Sequence, residues 1–69
     1  MKIEFADRLK NLRQEIGATQ AQLAKTLNTT QRRISYLELG KVEPDLRLLW
    51  QIADYFDVSV DYLIGRKEI

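Results

Sequence analysis

Apolar residues in this chain recur at the helical period and not at the alternating period of a strand. In FADRLKNLRQEI, Phe5, Leu9, Leu12 and Ile16 fall at i, i+4, i+7 and i+11, which is one stripe along one helix face. Gly17 follows that stripe as a C′ glycine should, and Gly40 and Gly65 follow other apolar-periodic segments in the same way. The starts are marked as well. Thr19 and Gln22 have the spacing of a capping box, with Leu23, Ala24 and Leu27 facing inward behind them. Asn28 tolerates the left-handed conformation of a sharp turn, and Thr30 is a good N-cap for the next helix. Asp45 or Pro44 opens a fourth helix that ends near Asp57, and Ser59 caps a short fifth one. Connections of about two to five residues leave room for little else. The expectation is a compact, all-α, five-helix domain covering residues 1–69, with no linker, repeat or low-complexity segment.

Composition narrows the function classes. In 69 residues there is no Cys and no His, which removes the commonest metal ligands, the thiol nucleophile and the usual general base. No Gly-rich phosphate loop, GxSxG or HExxH is present, so neither an enzyme nor a cofactor is expected. No apolar run approaches the roughly 18 residues needed to span a bilayer. With no disulfide to protect, the cytoplasm is the expected compartment. The net charge of +1 hides an asymmetry. Residues 1–41 hold eight basic groups against four acidic ones, and residues 42–69 hold three against six. One part of the molecule is suited to an anionic partner.

The segment TTQRRISYLELG locates that part. Its helix opens with Arg32 and Arg33, where the dipole already places positive charge. Ile34 and Leu37 are its only clear apolar pair at helical spacing, and they define the inner side. Arg32, Ser35, Tyr36 and Leu39 fall opposite, flanked by Gln31 and Arg33. These are groups that read base edges and phosphates in a major groove, and a nearby phosphate would relieve the arginine–dipole conflict. A capped helix, a tight turn at Asn28 and then this helix is the helix-turn-helix order, over about residues 19–39.

RLKNLRQEIGATQAQLAKTL, ISYLELGKVEPD and LLWQIADYFDVSVDYLI, with the spacing of Gly17, Thr19-Gln20, Leu23-Ala24, Ile34, Glu38, Gly40 and Pro44, together resemble the Cro/C1-type (Xre family) helix-turn-helix domain. The resemblance covers about residues 5–64. It implies a lambda-repressor-like fold that binds double-stranded DNA. It also implies roles. Gln31, Arg32 and Tyr36, with Ser35 at the groove edge, would read bases. Gln20, Arg33, Lys41 and Thr30 would meet phosphate, and Gln20 would also brace Gln31. Asn28 departs from the usual Gly of the turn, and Tyr36 is bulkier than the usual polar residue there. Tyr36 would stack on a thymine methyl or fill groove width. Arg13 and Glu38 each border the core, about 40° off Leu9 and Ile34; the resemblance pairs them as a bridge between the first and third helices.

The fourth helix carries more apolar surface than a small core needs. Leu49, Ile52, Ala53 and Phe56 form the core stripe, Leu48 and Tyr55 extend one flank, and Leu46 and Trp50 extend the other. The arc spans about 220°, against the roughly 100° of an ordinary surface helix. Val60, Tyr62, Leu63, Ile64 and Ile69 add to it. A homodimer through the fourth and fifth helices is expected, drawing on Leu48, Tyr55, Val60, Tyr62 and Ile64 and matching a palindromic operator. The alternative is an antitoxin-type or other interaction module whose apolar C-terminal half binds a partner protein.

Overall fold

The computed structural model describes residues 3–67, and those residues form five helices and no strand. The helices are α1 (Phe5–Glu15), α2 (Gln20–Thr26), α3 (Gln31–Glu38), α4 (Leu46–Phe56) and α5 (Val60–Ile64). Four of the five are capped by side chains. The hydroxyls of Thr19, Thr30 and Ser59 and the carboxylate of Asp45 each accept a backbone N–H from three residues on. The reciprocal half of the Thr19 capping box is present, with the Thr19 N–H donating to Gln22 Oε1 at 2.8 Å. Asp45, and not Pro44, therefore starts α4. Asn28 is left-handed, at φ 57°, as the turn requires. Asp57 ends α4 in the same conformation at φ 54°, which a short polar side chain tolerates.

Every helix contributes to one core. Leu9 of α1, Leu23 of α2, Ile34 and Leu37 of α3, Ile52 of α4 and Leu63 of α5 are all essentially inaccessible to solvent. Helix α3 packs against both α1 and α2, while α5 packs against α1 and α4. Arg8 helps to close the latter seam: its guanidinium carbon lies 4.4 Å from the Tyr62 ring centroid, and it pairs with Glu4 at 3.6 Å.

The structure departs from the sequence expectations at Ile16 and Leu48. Ile16, expected in the core stripe, is 51% exposed, because α1 ends at Glu15 and Ile16 turns outward as its C-cap. Leu48, expected on the dimer surface, is buried, lying beside Leu27 and the turn between α2 and α3. It is core and cannot face a second copy. Tyr62 is only partly exposed, with its ring already covered by Arg8. Ile69 lies outside the described residues.

The charged pair that borders the core is present and closely made. Arg13 Nε donates to Glu38 Oε2 at 2.6 Å and Nη2 donates to Oε1 at 2.9 Å. The Arg13 side chain is 12% exposed and that of Glu38 only 3%. Arg13 Nη1 also donates to the Ala18 carbonyl at 2.9 Å, and Gln20 Nε2 to Glu38 Oε1 at 3.1 Å. The buried carboxylate thus ties α1, the start of α2 and the last turn of α3 to one point. Its hydrogen bonding to Glu38 raises the Arg13 pKa above the ordinary arginine value. Removing one member strands the other charge in a low-dielectric site. Glu38→Ala should destabilise the domain by about 3–5 kcal/mol, lowering Tm by roughly 10 °C or more at this size. Urea and thermal unfolding of the variant check this, and a wild-type midpoint would contradict it.

Candidate nucleic-acid interface

Helix α3 is held from behind and open in front. Ile34, Leu37 and Glu38 are buried, which fixes its rotation about its own axis. The opposite side exposes Gln31, Arg32 and Leu39 to solvent, with Arg33, Ser35 and Tyr36 partly exposed. Its first turn contains no acidic residue. At its start the Arg33 N–H donates to Thr30 Oγ1 at 3.1 Å, so the Thr30 hydroxyl proton stays available for an outside acceptor. At its end the Lys41 N–H donates to the Tyr36 carbonyl at 2.9 Å across the left-handed Gly40, φ 74°. That closure brings Lys41 back over the helix it follows, with its Nζ 5.6 Å from the Tyr36 ring centroid.

The residues singled out from the sequence fall into two groups. Gln31, Arg32, Ser35, Tyr36 and Lys41 come together on or beside the α3 surface. Gln20 and Arg33 are instead drawn to carboxylates of the protein, Glu38 and Asp45. The Gln20 side chain donates to Glu38 and does not brace Gln31, although its amide has a second N–H. Arg33 Nη2 pairs with Asp45 Oδ2 at 3.4 Å, an exposed contact between α3 and the cap of α4. A phosphate arriving at Arg33 would compete with that carboxylate.

Two features of the face were missed at the level of sequence. One is the Arg33–Asp45 pair, whose members are separated by the whole loop after α3. The other is Arg32 Nε donating to the Tyr36 hydroxyl at 3.2 Å. The i, i+4 spacing that allows this contact was in plain view.

Asp45 is held below the usual carboxylate range, first by the Leu48 backbone N–H it accepts and then by Arg33. A depressed folded-state value stabilises above the unfolded value, near 4, and that contribution is lost as pH falls through the folded value. Asp45→Asn keeps an N-cap acceptor without the titration. Tm measured between pH 2 and 6 should therefore fall less steeply on acidification in this variant than in wild type. Parallel curves would contradict the assignment.

A capped helix, a left-handed turn and a second helix anchored from behind, set in a five-helix core, define a lambda-repressor-like helix-turn-helix domain. The comparisons agree. The family model described as "Helix-turn-helix" (HTH_3) matches residues 9–63, and the chain belongs to that Cro/C1-type (Xre) family. It is 37% identical over 67 residues to the HTH-type transcriptional regulator ImmR of Bacillus subtilis, covering 97% of this chain and 53% of ImmR. A transcriptional regulator from Listeria innocua has a similar structure, with TM-score 0.89 and 35% identity, over 94% of this chain and 61% of that one. The P22 c2 repressor, solved in complex with a synthetic operator, superposes with TM-score 0.85 at 25% identity, over 91% of this chain and 96% of its own. The chain spans about half the length of the curated relatives it matches.

Proposed function

We propose that this chain is a sequence-specific, double-stranded DNA-binding regulator that inserts α3 into the major groove of an operator and acts as a repressor or autoregulator in the cytoplasm. The observation that carries the reading is the outward side of α3. Gln31, Arg32, Ser35 and Tyr36 project from a helix whose inner side is locked by Ile34, Leu37 and the Arg13–Glu38 bridge. Rigid placement of polar tips is what base readout requires, because each good bidentate contact discriminates only when its geometry is fixed. The P22 c2 repressor, whose fold this chain shares, was solved on operator DNA.

Lys41, Arg33, Thr30 and Gln20 border that face and are assigned to phosphate. Phosphate neutralisation dominates affinity, so binding should weaken steeply with added salt. On an operator enriched from a random duplex pool, Arg32→Ala should cost about 1–3 kcal/mol and relax preference at one base pair. Lys41→Ala should weaken binding to all sequences alike. Normal operator binding by both variants would remove α3 as the reader.

The homodimer is part of the same reading, with its surface relocated. With Leu48 in the core and Tyr62 half-buried, the most exposed apolar residues of α4 are Leu46, at 85%, and Trp50, at 73%. A separate groove of about 250 Å³ has walls that include Ile3, Val42, Leu49 and Ile64. Tyr55 stands apart, near Ile16 at the turn between α1 and α2. A second copy docking about a two-fold axis would cover the Leu46–Trp50 side and set two α3 helices against successive major grooves of a palindrome, about 10 base pairs apart. Sedimentation of wild type at micromolar concentration should show a dimer, and Trp50→Glu should give monomer with weakened binding to the palindrome. A wild-type monomer together with recovery of an unrelated protein on the same surface would favour the interaction-module reading, which the exposed Leu46 and Trp50 also suit.

A further inference from the structure

Tyr36 does more on this face than occupy width. Its hydroxyl accepts from Arg32 Nε at 3.2 Å, and the Arg32 guanidinium carbon lies 5.3 Å from its ring centroid. Lys41 Nζ lies within cation–π reach of the same ring at 5.6 Å. The ring itself stands on the rotationally locked α3 and is partly buried. An exposed arginine ordinarily gives up considerable rotamer freedom when it binds. Here that freedom is already restricted by the neighbour one turn on.

Resting on the DNA-binding reading above, we propose that Tyr36 is a positioning residue that aims Arg32 end-on at a guanine. A guanidinium has five N–H groups, one of them on Nε. With that one donated to Tyr36, the side-on fork that uses Nε is occupied, and the fork left to point outward is Nη1 with Nη2. Two parallel donors match the N7 and O6 acceptors that guanine presents in the major groove. Adenine places a donor amino group beside its N7, and neither pyrimidine offers two adjacent acceptors. The Tyr36 hydroxyl thereby selects which edge of Arg32 meets the DNA, and the base opposite Arg32 is guanine. Lys41, attracted to the same ring, brings a second cation close to the reading arginine, where the DNA backbone neutralises both.

The test uses the full chain and the duplex enriched by wild type from a random pool. Four versions of that duplex differ only at the base pair where Arg32→Ala relaxes preference. Affinities of wild type, Tyr36→Phe, Arg32→Ala and the double variant are measured at one fixed salt concentration by fluorescence anisotropy. The phenylalanine keeps the ring and removes only the hydroxyl. Wild type should prefer guanine at this position. Tyr36→Phe should bind the guanine duplex roughly two- to tenfold more weakly, lose that much of the preference for guanine over the other three bases, and add nothing in the Arg32→Ala background. An equal loss on all four duplexes, or one that survives without Arg32, would show the hydroxyl touching DNA itself and overturn the proposal. So would wild-type preference for another base, or Tyr36→Phe binding the guanine duplex as wild type does. Failure of wild type to enrich any duplex would sink the DNA-binding reading as well, so the two failures are told apart by the wild-type result.

Discussion

The bridge between Arg13 and Glu38 is the contact on which the presentation of α3 depends. A carboxylate with a side chain 3% exposed is costly to desolvate unless its lone pairs are filled. Here Oε2 accepts from Arg13 Nε, and Oε1 accepts from both Arg13 Nη2 and Gln20 Nε2. No buried side-chain polar atom among the described residues lacks a partner. An apolar contact in the same place could supply equal stability, but it would tolerate sliding. Bidentate geometry fixes the last turn of α3 relative to α1 in both rotation and height.

With its rear fixed, α3 can afford an otherwise poor sequence. It is only eight residues long, below the length at which isolated helices persist in water, and two arginines occupy its unfavourable first turn. Its stability comes from the Thr30 cap and from Ile34 and Leu37, each fully buried. With Glu38 held in the bridge, the remaining positions lie outside the core. Arg33 leans on Asp45, and Arg32 leans on Tyr36. The local cost of the arginines is thus partly offset within the protein.

Helix α4 shows how one helix can serve two purposes. Its inner side, through Leu48, Ile52 and Ala53, closes the core beneath α5 and the α2–α3 turn. Its other apolar residues separate into two regions, Leu46 with Trp50 on one flank and Tyr55 on the other. Burial of Leu48 rotates the core-facing side toward the Tyr55 flank and leaves the Leu46–Trp50 flank uncovered. Counting apolar residues reveals the excess, but only the rotation of the helix shows where it ends up.

Local chemistry is what the sequence could determine. Caps, left-handed stops and the helical period are set by residues within one turn of each other, so Thr19, Asn28, Thr30, Ser59 and the inward pair Ile34–Leu37 were all legible. Arg13 and Glu38 were each placed beside the core by helical geometry, while their pairing came from resemblance to a family. Contacts across the fold were not legible: Gln20 with Glu38, Arg33 with Asp45, and Leu48 beside Leu27. Each depends on how one helix is turned and shifted against another. A helical wheel gives the relative angles within a helix but no absolute rotation, and that rotation is decided by the packing of the whole core.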